Sequence, residues 1–264
     1  MRAVDVTRVQ VLGCSGGIGG PHLRTTSLLV DHDILIDAGT GAADLSLGEL
    51  SLIDHIFITH SHLDHIVSIP FIVDSVGSMR SRPLIVYALP ETIEVMQKHI
   101  FNWSIWPDFT TIPNPEQPFL IFKPVQLGQK IELGRRTITV LPAEHTVPAC
   151  GYAISNHRNS LAFTGDTTVN PALWDALKNI AHLRHLIIET AFCNREKGLA
   201  ELSKHLCPSL LASELKHIDP ADQTLEIHIT HLKPSEIELT MEEVLFEAAA
   251  WRPNMLQAGQ HFNL

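Results

Sequence analysis

The stretch Thr59-His60-Ser61-His62-Leu63-Asp64-His65 constrains this chain more than any other feature. It packs three imidazoles and a carboxylate into six residues, directly after the apolar run Ile56-Phe57-Ile58 and before a helix-like pattern. A turn at the end of a buried strand can aim two pairs of such ligands at two adjacent cations. Imidazole nitrogen and carboxylate oxygen suit Zn²⁺ at about 2.0–2.2 Å. A merely solvated turn gives no reason to concentrate histidine behind a buried strand.

The same placement recurs three times. His145 follows the run Thr137 to Leu141, Asp166 follows Leu161-Ala162-Phe163-Thr164-Gly165, and His231 follows His228-Ile229-Thr230. Further short β-branched runs lie at 9–12, 27–30, 34–36, 84–87, 186–188 and 254–256, and helical patterns at about 64–78, 90–100, 171–180, 198–217 and 235–250. Strand-rich stretches come first in each half, which predicts two packed β-sheets with helices outside, an αββα sandwich. One domain over residues 1–264 is expected. The Pro-rich segment Pro107 to Pro124 reads as a surface loop, and no internal sequence repeat is visible.

With 19 Lys+Arg against 29 Asp+Glu, the net charge of −10 and the absence of a long basic run disfavour an extended nucleic-acid interface. A small anion is admissible where metal ions supply the positive field. The charged N-terminus has neither a signal-peptide core nor a membrane-length apolar run, and Cys14, Cys150, Cys193 and Cys207 form no CxxC pair. A cytoplasmic protein with no membrane contact is expected.

His60-Ser61-His62-Leu63-Asp64-His65, His145, Gly165-Asp166-Thr167 and Thr230-His231-Leu232 resemble, in order along the chain, the ligand set of the metallo-β-lactamase superfamily. The resemblance implies that fold, a first metal held by His60, His62 and His145, and a second held by Asp64, His65 and His231, with Asp166 bridging. It implies two divalent ions, zinc first and Mn²⁺ or Fe²⁺ as alternatives. A hydroxide shared by the two ions would serve as nucleophile, and Asp64 would count with the catalytic groups. Flavodiiron oxygen reductases carry glutamate where this chain has His62, and β-lactamases mostly lack an aspartate at the Asp166 position. Transfer RNA 3′-processing endonucleases share His145, Gly151-Tyr152 and Gly165-Asp166-Thr167 but insert an RNA-gripping arm between His145 and Asp166. That stretch is short here and has no basic cluster.

The run His60 to Pro70 is closely similar to the signature of the class II cyclic-nucleotide phosphodiesterases, and Ile100 to Phe109 also resembles that family. The resemblance spans approximately residues 9–260. It implies hydrolysis of 3′,5′-cyclic AMP or GMP to the nucleoside 5′-monophosphate, a small-molecule partner, and a homodimer. Glu189 and His205 would form the pair that protonates the departing 3′-oxygen. Phe101, Trp103 and Trp106, with Phe109, are candidate purine-stacking residues, although packing in the core or an interface is an equal use for such rings. Asp37 is expected behind the His60 loop, and Gly13-Cys14-Ser15-Gly16-Gly17 reads as a tight connection beside the site. His99, His182 and His185 read as surface residues. The endonuclease activity and a catalytically silent metal-binding sensor are the alternatives.

Overall fold

The computed structural model describes residues 6–20, 22–222 and 224–264. The first half of the chain builds one sheet from β1 (Arg8–Gly13), β2 (Ser27–Val30), β3 (Ile34–Ile36), β4 (His55–Phe57), β5 (Leu84–Ala88) and β6 (Leu120–Pro124). The second half builds another from β7 (Lys130–Leu133), β8 (Arg136–Pro142), β9 (Cys150–Ser155), β10 (Ser160–Phe163), β11 (Leu183–Glu189), β12 (Glu226–Thr230) and β13 (Asn254–Met255). The last strand, β14 (His261–Asn263), returns to pair antiparallel with β1.

The two sheets run β14-β1-β2-β3-β4-β5-β6 and β13-β12-β11-β10-β9-β8-β7. Both have an antiparallel meander, β1 to β3 and β8 to β10, followed by parallel strands linked through helices. The halves therefore share a strand plan that no sequence repeat announces.

Three apolar layers hold these elements. Val11, Leu28, Ile36 and Phe57 of the first sheet meet Val140, Tyr152, Phe163 and Ile187 of the second in the central layer. Ile56, Ile58 and Val86 face helix Ser68–Val76 on one outer side, and Ile188, Ile227 and Ile229 face helices Pro208–Glu214 and Ile237–Glu247 on the other. Burial on both faces explains why Ile56-Phe57-Ile58 at β4 and Leu186-Ile187-Ile188 in β11 read as continuous apolar runs. The αββα sandwich expected from the sequence is the fold observed. No helix among the described residues is long and apolar enough to cross a membrane.

Local expectations needed four corrections. Residues 120–124, expected in a loop, form edge strand β6, because Leu120-Ile121-Phe122 complete a ladder with β5 and Pro124 falls at its end. The helical pattern at 198–217 breaks into Lys197–Leu202 and Pro208–Glu214, since Pro208 lacks the N–H that continuation requires and occupies a first helical turn. Phe101 and Phe109 are 3% and 5% exposed in the layer between the first sheet and its helices, so neither offers a face for stacking. His185 is not a surface residue; its side chain is 15% exposed and packs on Phe262.

Candidate metal centre

Four of the predicted ligands lie just past the carboxyl end of a strand, His62 leads into the short helix Leu63–Ile66 that carries Asp64 and His65, and together they form one cluster. His60 follows β4, His145 follows β8, Asp166 follows β10 and His231 follows β12. Glycine makes the approach feasible: Gly165 has φ +63°, and a Cβ there would stand 2.8 Å from the Cys150 carbonyl oxygen. A Cβ on Gly16 would stand 2.3 Å from the His231 carbonyl oxygen, so the Gly13 to Gly17 connection braces the His231 loop. The Cys150 N–H donates to the Thr59 carbonyl at 3.0 Å and the Tyr152 hydroxyl to the Ile58 carbonyl at 2.8 Å, which ties the second sheet to the His60 turn. Asp37 and His231 are non-glycine residues at φ +57° and +63°. Such left-handed backbone carries a local cost that the surrounding packing must sustain.

Hydrogen bonds fix which ring nitrogens face the centre. Asp37, fully buried, takes the Thr59 N–H at 2.8 Å on Oδ1, and the Thr59 hydroxyl at 2.9 Å and His65 Nδ1 at 2.7 Å on Oδ2. With its proton committed to Asp37, the Thr59 hydroxyl accepts from His60 Nδ1 at 3.0 Å. His145 Nδ1 donates to the Lys204 carbonyl at 3.0 Å. The Nε2 atoms of His60, His65 and His145 are therefore left with lone pairs toward the centre.

The atoms nearest these nitrogens are other imidazole nitrogens and carboxylate oxygens. His62 Nδ1 lies 3.2 Å from His145 Nε2. Asp166 Oδ2 lies 3.7 Å from His60 Nε2 and 3.3 Å from His65 Nε2, while Oδ1 lies 3.2 Å from His231 Nδ1. His60 Nε2, His65 Nε2 and His231 Nδ1 are buried without a hydrogen-bond partner. Ligands at about 2.0–2.1 Å from one tetrahedral ion stand about 3.3 Å apart, so these spacings suit cations, most clearly at the three unpaired nitrogens. Two triads, His60-His62-His145 and Asp64-His65-His231, each bring ligand atoms within 4.8 Å, and Asp166 joins His60 and His65 in a third.

Electrostatics agree with that fit. Burial, reinforced by His65, holds His60 well below the ordinary imidazole range, and burial takes His145 down to about 4 and His231 down to about 3. These rings are neutral ligands at pH 7. His65 is the exception: burial would lower it too, but Asp166 and Asp37 outweigh burial and hold it well above the ordinary range, so a cation at Nε2 would have to displace a proton from this ring. Burial works against the charged form of Asp166, yet His231, His65 and His60 keep it ionised.

Beside this cluster stands a second constellation. His205 lies in the break between the two helices, with ring centroids 4.8 Å from His145 and 5.2 Å from His231. Its Nδ1 meets Glu189 Oε1 at 2.7 Å. Glu189 is fully buried and also accepts the N–H groups of Thr167, Ala191 and Leu206 at 3.1, 3.1 and 3.2 Å. Burial pushes the Glu189 carboxyl upward and His205 opposes it. Burial pulls His205 downward, but Glu189 prevails and raises it.

A cleft of about 640 Å³ opens beside His145, lined by Leu89, Gln126, Glu144, Thr146 and Pro148 among others. Phe101, Trp103 and Trp106 are not among its lining residues. Trp103 is 66% exposed, and Trp106 packs edge-on against Phe71 at 5.2 Å. Lys233 escaped the sequence reading. Its ammonium sits 3.4 Å from His231 Nε2 and 2.8 Å from the Gly16 carbonyl oxygen, within reach of an anion at the centre. Its position two residues past a strand-end ligand was the available signal.

Known proteins give the same picture. A probable 3′,5′-cyclic-nucleotide phosphodiesterase of Yersinia pestis is 28% identical over 69% of this chain and 58% of its own length. Ribonuclease Z of Clostridium beijerinckii is 30% identical over 54% of this chain and 47% of its own. The chain thus spans about half the length of these curated relatives. Unliganded yeast PDE1 superposes with a TM-score of 0.80 over 98% of this chain and 99% of that one, at 20% identity, which establishes the shared fold. A family model described as a β-lactamase superfamily domain matches residues 32–253, and the chain belongs to that superfamily.

Proposed function

We propose that this chain is a metal-dependent phosphodiesterase that opens 3′,5′-cyclic nucleotides to nucleoside 5′-monophosphates. The observation that carries the reading is the Glu189–His205 pair set against the ligand cluster, because it supplies a proton donor beside the place where a phosphodiester would sit. His60, His62 and His145 would hold one ion, Asp64, His65 and His231 another, and Asp166 both; zinc suits this nitrogen-rich set. Bound ions would supply positive charge to the phosphoryl oxygens and acidify water to give a nucleophile at neutral pH.

The chain's own groups do the rest. Asp37, acting through Thr59, keeps His60 and His65 in the tautomers that present Nε2. Glu189, fixed by three backbone N–H groups, orients His205 through Nδ1 and favours its protonated form, in which Nε2 carries a proton for the departing ribose 3′-oxygen. An alkoxide of that basicity leaves poorly without one. Lys233 adds a cation at the rim for the phosphate. The cleft beside His145 falls within the 300–1,000 Å³ usual for small-ligand sites.

The relatives named ribonuclease Z favour a second reading, hydrolysis of an RNA phosphodiester by the same groups. Against it, the stretch between His145 and Asp166 is filled by β9, β10 and the tight turn joining them, without a projecting arm. Incubating the metal-loaded protein with a panel of cyclic nucleotides and with precursor transfer RNA, and following products by chromatography, tests the choice. Formation of 5′-monophosphate is expected; efficient trimming of RNA with cyclic nucleotides left intact would reverse it.

A further inference from the structure

Away from the centre, β11 and β12 carry another set of ligand-type side chains. His185 and Glu226 are direct neighbours across the two strands, and His228, two positions after Glu226, shares its face. His185 Nδ1 lies 3.3 Å and His228 Nε2 3.7 Å from the same oxygen, Glu226 Oε2. One ligand atom from each residue lies within 4.8 Å of the others. These spacings repeat those of the main centre and match the roughly 3.3 Å edge of a tetrahedral zinc site.

The two imidazoles lack other partners. His228 is 3% exposed and neither of its ring nitrogens has a hydrogen bond; His185 Nδ1 is likewise buried and unpaired. Buried polar atoms are nearly always satisfied, so two orphans, His185 Nδ1 and His228 Nε2, within 3.7 Å of one carboxylate oxygen point to a missing partner. Phe262 packs against both rings, at 4.8 and 4.9 Å, and closes the apolar side. Glu226, 59% exposed, leaves a path from solvent. Burial takes His228 down to about 4 and lowers His185, so both rings are neutral at pH 7 and offer lone pairs in place of an ion pair.

We propose that His185, Glu226 and His228 form a separate divalent-cation site of the zinc type, with its fourth position open to water. It lies about 10 Å from the main centre along β12, since His228 precedes His231 by three residues at about 3.3 Å each. Its ion cross-links the parallel strands β11 and β12 under the lid of Phe262 from β14.

The test counts metal in metal-free protein reloaded with Zn²⁺ and desalted, for the parent, Glu226→Gln and His228→Gln. Each variant is expected to hold one zinc fewer per chain than the parent, with hydrolysis of bis(p-nitrophenyl) phosphate unchanged. In chelator competition, the zinc absent from Glu226→Gln should appear in the parent as a separate, more weakly held ion. Should His228→Gln fail to fold, Glu226→Gln decides alone, because its side chain is largely exposed. Equal zinc in the parent and the folded variants would overturn the site, and so would loss of activity together with the zinc, since that ion would belong to the main centre. The zinc count stands whatever the substrate of the main centre.

Discussion

Replacing Asp37 by asparagine changes one oxygen to an NH₂ group and should disarm two ligands it never shares a metal with. The carboxylate now accepts three hydrogen bonds, from the Thr59 N–H, the Thr59 hydroxyl and His65 Nδ1. If the amide oxygen keeps the Thr59 N–H, the NH₂ group faces two donors. Relief requires His65 to give up its Nδ1 proton and the Thr59 hydroxyl to turn toward His60 Nδ1, so both rings move their protons to Nε2, the atoms aimed at the centre. Flipping the amide instead opposes NH₂ to the Thr59 N–H.

Loss of one outer partner typically costs 10–100-fold in metal affinity. With two ligands affected, the expected loss is about 10²-fold or more, and about 3 kcal/mol at 1.36 kcal/mol per tenfold. Metal affinity measured by competition with a chromophoric chelator should fall accordingly, while Asp37→Glu should not restore it because the longer side chain has no room in a fully buried site. Unchanged affinity in Asp37→Asn, with a folded protein, would refute tautomer control by Asp37.

Replacing His205 with alanine should slow cyclic-nucleotide hydrolysis by about 10²–10⁴ while bis(p-nitrophenyl) phosphate, whose leaving group needs no proton, is cleaved near the parent rate. Equal losses on both substrates with intact metal content would make His205 a positioning residue. A second prediction concerns pH and stability. Half-burial pushes the Asp33 carboxyl up, but the Arg136 guanidinium, which reaches it from the other sheet in a two-point contact, overrides this and lowers it. A lowered folded value means stability that is complete above the unfolded pKa of about 3.9 and is lost as pH falls through the folded value. Urea unfolding should therefore show a gap between the parent and Asp33→Asn, of about 1–2 kcal/mol, that is constant from pH 6 to 8 and closes below about pH 4. A gap that widens in acid would contradict the sign.

The clustering of the candidate ligands was legible because its chemistry is local. His60 to His65 occupy one turn, and strand-end placement marks His145, Asp166 and His231 without knowledge of their neighbours. The layer order was legible because strand-rich stretches come first in each half and helical patterns follow, and short runs such as Ile56-Phe57-Ile58 and Leu186-Ile187-Ile188 carry the burial of both strand faces in their composition. The fate of the aromatic run was not. Phe101 and Trp103 are nearly adjacent in sequence, yet one is 3% and the other 66% exposed, since helix Pro90–His99 ends just before them and the chain turns over the layer. The pairing of Glu189 with His205 came only through the family resemblance, and only the tertiary structure decides that Asp37 contacts His65 directly and His60 through Thr59, and that His185, Glu226 and His228 converge. Sequence specifies which groups can act as ligand, donor or acceptor, whereas partnership across long sequence separations depends on strand register, and register is fixed by how both sheets bury their apolar faces together.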